Sequence, residues 1–215
     1  AGWFIDRFSG LVKNNTFNLP TGQSAVFLAS GTGDASRVVG NNITVTNYGV
    51  YAQAVGPNPD IRIDSNTVVA NSVTAGYGIY VFGSTTTNTT QGQTTPPFWR
   101  QALIRNNNVK ANYFGLSVLQ TFGTSIARSV VANNIVTDFN NQNTSTARGL
   151  YFYVVGNLDV HHNSVLLTGG SAGAVRAAFF NGIVGTTAPT GWTYNMQSGV
   201  SFANNILANY GPGQV

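Results

Sequence analysis

A wholly β fold, wound as a parallel solenoid of about seven coils, is what the sequence predicts, on three observations. The first is composition. Charged residues make up 7% of the 215 positions, against about 25% in ordinary soluble domains. Asn, Thr, Ser and Gly take their place on a Val, Ile and Phe background, which favours strands and turns. Glutamate is absent and lysine occurs only at Lys13 and Lys110, so the residues that long helices need are missing. The second observation is a repeated six-residue pattern: apolar, two variable positions, Asn, one further position, then usually apolar. The third is a short apolar strand, opened by a small residue, that follows each of the first six copies.

The pattern occupies 12–17, 39–44, 63–68, 104–109, 131–136, 160–165 and 202–207. Its Asn residues are Asn15, Asn42, Asn66, Asn107, Asn134, Asn163 and Asn205, spaced 27, 24, 41, 27, 29 and 42 apart. Such periods mark a solenoid. Coils stacked about 4.8 Å apart pair their strands in parallel. An Asn recurring at one corner then stacks on itself, its amide bonding turn backbone and the Asn one rung away. Period-two alternation turns Val12, Val39, Ile63, Ile104, Val131, Val160 and Phe202 inward. The small residues that open the next strand are Ala25, Gly49, Gly78, Gly115, Gly149 and Ala174. The two long spacings exceed a basic coil of about 24 residues by some 17, which places insertions at 83–100 and 181–199. Both leave the coil just after the small-residue strand.

One domain, 1–215, suits this length. Zero cysteine excludes disulfides and thiolate sites. The net charge of +4 comes from scattered Lys and Arg with no run to follow a phosphate backbone, so nucleic acid is not an expected partner. No apolar stretch reaches the ~20 residues of a membrane span. The first residues, Ala1-Gly2-Trp3-Phe4, lack a basic region followed by an apolar one, so no signal peptide is visible, and an alanine start reads as a processed or excised chain. Asn-x-Ser/Thr triplets begin at Asn14, Asn42, Asn88 and Asn143; Asn42, as a ladder member, is expected to be inaccessible.

In these Asn-corner repeats the chain resembles the right-handed parallel β-helix repeat proteins of the pectate-lyase-like superfamily, over about residues 10–210. The resemblance implies a right-handed helix but no single activity, because that superfamily includes lyases, hydrolases, tailspikes and adhesins. Its polygalacturonase signatures are absent here: Asn66-Thr67 continues into Val68 where that pattern has aspartate. Its lyases gather acids around calcium, whereas the six aspartates of this chain are dispersed.

Two outward faces carry the candidate residues. On the Asn strand the outward set is Lys13, Gly40, Asp64, Arg105, Ala132, His161 and Ala203. Beside it run Leu11, Val38, Arg62, Leu103, Val130, Asp159 and Ser201. An enzyme reading makes Asp64 or Asp159 a general acid or base and gives Arg105 a uronate carboxylate, with His161 nearby. The plainer reading is a solvated face in which Asp64 and Arg105 form an ion pair across one rung. His161 and His162 are adjacent, and adjacent strand residues face opposite ways, so the pair is read as corner histidines that satisfy the Asn turn; no metal site is expected, nor any cofactor.

On the small-residue strand the outward set is Phe27, Tyr51, Tyr80, Ser117, Tyr151 and Arg176, with Ala29, Gln53, Phe82, Leu119, Tyr153 and Ala178 two residues on. This column of aromatics, with Trp99, Trp192 and Tyr194 in the insertions, is read as a contact face. It can be covered by the loops, meet another protomer, or stack on sugar rings.

The seventh coil is expected to be incomplete, and the segment 2–8 and Pro212 are the available edge caps of the solenoid's two ends. Open edges and scarce charge favour head-to-tail association with a second copy, or continuation of a longer chain. The expected function is therefore an extracellular or cell-surface structural or adhesive solenoid. The alternatives are a carbohydrate-active enzyme and a non-catalytic glycan-binding module, for which a polysaccharide is the partner.

Overall fold

The computed structural model describes residues 3–6, 9–21, 24–31, 33–56, 59–72, 75–83, 98–139, 146–169, 175–181 and 199–210, with backbone alone for 3–6. Each coil contributes three strands. The first holds β1 (Trp3–Asp6), β2 (Leu11–Lys13) and β3 (Thr16–Leu19), the second β4 (Ser24–Ser30), β5 (Ala35–Val39) and β6 (Asn42–Val45). The third holds β7 (Tyr48–Ala54), β8 (Asp60–Asp64) and β9 (Thr67–Ala70), the fourth β10 (Tyr77–Phe82), β11 (Gln101–Arg105) and β12 (Asn108–Ala111). The fifth holds β13 (Phe114–Phe122), β14 (Ser129–Ala132) and β15 (Ile135–Thr137), the sixth β16 (Arg148–Gly156), β17 (Leu158–His161) and β18 (Ser164–Leu167). The seventh ends the set with β19 (Arg176–Asn181), β20 (Ser201–Ala203) and β21 (Ile206–Asn209).

Like strands pair only with like, giving three seven-stranded parallel sheets. The chain is an all-β, right-handed parallel β-helix of seven coils. The segment expected to cap the first coil instead supplies β1, paired with β4. Every coil thereby has all three strands, including the seventh. The insertions leave where expected, between β10 and β11 and between β19 and β20.

The core is the interior of the coil. Val12, Val38, Ile63, Ile104, Val131 and Val160 form one buried column, and Ile43, Val68, Val109, Val136 and Val165 another. Where the chain enters the first sheet, Gly49, Gly78, Gly115 and Gly149 stack on one another. A Cβ on Gly78 would lie 2.2 Å from Val109 Cγ1 and 2.6 Å from the Gly115 carbonyl oxygen, so hydrogen is the only side chain that fits. Ala177, level with Gly149 in the register of β16 and β19, is the last small residue of this column. The expected Ala174 lies outside the described residues.

The Asn ladder forms at the corner between the second and third sheets. The residue before each ladder Asn turns the corner in the left-handed region: Asn14, Gly40, Ser65, Asn106, Asn133, His162 and Asn204, with φ of 55–66°. Asparagine enters that region more readily than most residues, which explains its excess here. The following Asn points inward. Its backbone N–H and Nδ2 both donate to Oδ1 of the Asn one coil on, as from Asn66 to Asn107 at 3.0 and 2.9 Å. Nδ2 also satisfies carbonyls on two rungs, for Asn107 those of Ile63 and Arg105 at 3.0 and 2.8 Å.

In the second coil the ladder member is Asn41, not Asn42. Asn41 is 2% exposed, accepts from Asn15 at 2.9 and 3.1 Å and donates to Asn66 at 2.9 Å. Asn42 faces solvent at the start of β6. The reason is Gly40: its φ of +66° makes it the corner residue, and the next residue must be the one that turns in. The same one-residue shift puts Val38 inward, and Arg37 and Val39 on the outer face in the places expected for Val38 and Gly40.

Candidate functional site

The outer face of the second sheet gathers three ion pairs among the described residues. Asp64 and Arg105 are level on adjacent strands, but they do not pair. Asp64 turns along its own strand to Arg62, whose Nη2 and Nε donate to Oδ2 at 2.6 and 3.1 Å. Ser65 Oγ and Asn106 Nδ2 donate to Oδ1 at 2.8 and 3.0 Å. Desolvation by burial pushes this carboxyl up, but the bonds from Ser65, Asn106 and Arg62 together outweigh it and hold the group below its ordinary value. With four donors and 5% exposure, this carboxylate has no lone pair directed at a substrate.

Asp159 accepts a bidentate pair from Arg128, at 2.7 Å to each oxygen. That hydrogen-bonded cation keeps its carboxyl low. Three strand steps separate β8 from β17, about 14 Å at the usual spacing. Paired catalytic carboxylates in glycoside hydrolysis lie about 5–9.5 Å apart. Three further acids are engaged too: Asp60 with Arg100, Asp34 with the Gly31 N–H at 2.6 Å, and Asp138 with Thr168 and Gly169. A groove of about 250 Å³ between Arg37, Asp60, Arg62 and Gln101 is one of two described on this sheet, the other, of about 280 Å³, lying beside Leu11, Ala35 and Arg37. Both fall below the roughly 300–1,000 Å³ of small-molecule sites.

His161 and His162 do not face opposite ways. His162 is the corner residue, with φ of 56°, and the left-handed turn swings its ring beside that of His161. The two Nδ1 atoms stand 3.0 Å apart with the rings nearly perpendicular. Among the described residues no three of His, Cys, Asp or Glu gather as a metal-binding group.

The outer face of the first sheet is the aromatic column. Phe27, Tyr51, Tyr80, Ser117 and Tyr151 share one row as expected, and the row ends in Phe179, not Arg176. In the next row Asn181 replaces Ala178 opposite Tyr153. The last strand is three residues out of the expected register because Ala177 takes the glycine position.

A further row, Tyr48, Tyr77, Phe114, Arg148 and Arg176, was not expected. Each of its first four members directly precedes a column glycine, which is the signal that finds it. Tyr48 and Tyr51 both face out, because Gly49 and Val50 both bury at the bend and break the alternation.

Rings stack at the rung spacing: Phe27 on Tyr51 at 4.7 Å, Tyr48 on Tyr77 at 4.6 Å, Tyr51 on Tyr80 at 5.2 Å. Their faces are therefore occupied by one another, and edges and hydroxyls are left for a partner. Burial, with the neighbouring phenols, pushes the Tyr77 and Tyr80 hydroxyls well above the usual range.

Arg148 lies over Phe114, Tyr151 and Phe179 at 4.9, 4.4 and 4.5 Å, and Arg176 over Phe179 at 4.4 Å. Burial of Arg148 draws its basicity down, and its Nε has no hydrogen-bond partner.

Trp99 is not part of this face. It is fully buried in the core, with Nε1 donating to the Phe82 carbonyl at 3.0 Å. A surface platform needs an exposed ring, and the returning insertion plugs this one into the coil. Trp192 and Tyr194 lie outside the described residues.

Comparison of the chain with protein-family models, with curated proteins and with solved structures gives no match.

Proposed function

We propose that this chain is a structural, non-catalytic part of an extracellular or cell-surface solenoid, pectate-lyase-like in ancestry, whose ends receive further coils. Those coils come from a second copy stacked head to tail or from the same polypeptide. The ladder's two ends carry the proposal. Each interior Asn gives its backbone N–H to the next Oδ1, as Asn163 gives to Asn205 at 3.0 Å. Among the described residues the Asn205 N–H has no such acceptor, and Asn15 Oδ1 receives no such donor. The two deficits are complementary. A copy added in the same direction brings Asn15 Oδ1 onto the Asn205 N–H.

Apolar surface supports the same stacking. Phe202, level with the buried Val160, is 40% exposed, and a first coil placed on it would set Val12 above. Charge does not oppose the contact: β20 and β21 carry none and β2 and β3 only Lys13. Such a heterologous contact does not close, so it yields filaments. With no cysteine the chain has no thiol to oxidise at a cell surface. Engagement of the five acids whose side chains are described supports the non-catalytic part.

Negative-stain electron microscopy across a concentration series tests the reading. Fibres one solenoid wide, shortened by Phe202→Lys, are expected. Single short rods at every concentration would remove self-stacking.

A second reading, a module for acidic glycans, has its own observation. Arg148 and Arg176 sit one rung apart on the aromatic face and pair with no described carboxylate. The remaining acid, Asp6, belongs to β1 at the opposite edge of that sheet. Retention on an anionic but not a neutral polysaccharide, lost in Arg176→Gln, is the expected result. Equal retention of the two proteins would dismiss it.

A further inference from the structure

We infer that His161 and His162 form a two-nitrogen chelating site for a divalent transition metal of tetragonal preference, copper(II) first. Two features bring the nitrogens together. His161 ends β17 on the outer face, and His162 occupies the left-handed corner, which reverses the side-chain direction that a strand would impose. Their Nδ1 atoms end 3.0 Å apart, joined by a hydrogen bond; metal binding replaces that bond, and the proton of the donor ring moves from Nδ1 to its Nε2. With metal–nitrogen bonds of about 2.05 Å, that separation subtends about 94° at the metal. This is the angle between neighbouring positions of a square plane, which copper(II) and nickel(II) favour. Tetrahedral zinc would want the nitrogens about 3.3 Å apart.

The surroundings leave the other positions open. His161 is flanked in its row by Ala132 on one rung and Ala203 on the other, so no long side chain crowds the imidazole. Asn204, the corner residue of the next coil, stands with its side-chain amide 3.4 Å from His162 Nε2, on the side away from the metal. Asp159 precedes His161 by two residues on the same face, but both its oxygens are held by Arg128, so water completes the coordination. Imidazole nitrogens suit copper, which also heads the first-row affinity order.

The fold supplies substitutions that should not disturb it. His162→Asn installs the residue found at the same corner in four other coils, Asn14, Asn106, Asn133 and Asn204. His161→Ala copies its two row neighbours. Copper(II) alone is titrated into the full chain in a non-coordinating buffer, followed by calorimetry and electron paramagnetic resonance. One ion per chain with nitrogen hyperfine coupling is expected, and each single substitution should weaken binding at least about tenfold by removing the chelate. Native affinity in the double variant would place the copper elsewhere, for instance on the terminal amine, and overturn the site. On the unaltered protein, substoichiometric copper should broaden the ring proton signals of both histidines together; broadening of one alone, or of neither, would also overturn it.

Discussion

Two ladders run the length of this solenoid, and they invert the usual placement of polar and apolar groups. The Asn ladder is polar and lies inside the coil; the aromatic ladder is apolar and lies outside. They differ in how much each rung can vary. An interior Asn both gives to and receives from its neighbours while holding carbonyls on two rungs, and no other side chain carries that donor–acceptor set at that length. All seven rungs are accordingly Asn. Ring stacking is less exacting, so the aromatic rows admit Ser117 in one and Arg148 and Arg176 in the other. Directional bonding fixes residue type, whereas stacking fixes only size and flatness.

The largest effect should come from breaking the polar ladder at its centre. Asn107→Leu removes the acceptor of Asn66 N–H and Nδ2 and the donor to two buried carbonyls. With stranded buried groups costing about 1–3 kcal/mol each, a loss of about 4 kcal/mol is expected, read as a fall in the denaturant midpoint. Tyr80→Ala, in the aromatic ladder, should cost less, about 2 kcal/mol. Its ring is half-buried and stacks on Tyr51 at 5.2 Å, but it leaves no polar group stranded. A larger loss than that of Asn107→Leu would reverse the ranking of the two ladders.

A smaller effect tests the charged face between them. The Asp64 carboxyl binds its proton more weakly in the fold than in the unfolded chain. Its contribution is therefore complete above the unfolded value of 3.8 and disappears as pH falls through the lower folded value. Asp64→Asn should lose about 1–2 kcal/mol at neutral pH and flatten that part of the acid limb. An unchanged limb would mean that Asp64 does not contribute to acid unfolding.

The polar ladder was legible because a hydrogen-bond requirement leaves one letter at a fixed place in each coil. The aromatic rows were legible only where alternation holds. Tyr51 and Tyr80 follow from period two, but Tyr48, Tyr77 and Phe114 stand across a bend where two consecutive residues bury, and there period two points the wrong way. Ion partners were the least legible. Arg128, which takes Asp159, comes from the turn before β14, 31 residues away in sequence. The choice of Arg62 over Arg105 by Asp64 rests on side-chain reach along the strand, which registers alone do not contain. The histidine pair was legible as belonging to the corner, but strand alternation turned its rings apart, and a residue at φ of 56° does not follow that alternation.

The smallest expected effect separates two adjacent residues of one type. Val38-Val39 and Asn41-Asn42 allow either register in the second coil, since each valine is followed three residues later by an Asn. What decides is the conformation between them. A Cβ at position 40 would come within 2.6 Å of Asn14 Oδ1, and its φ of +66° is one that glycine enters without strain. Gly40 thus takes the corner and commits Asn41 to the interior. Asn42→Ala should change stability by less than about 0.5 kcal/mol, as substitutions on open surface do, while Asn41→Ala should approach the loss at Asn107. Equal losses at the two positions would show that the corner slides between registers and that Gly40 does not fix it.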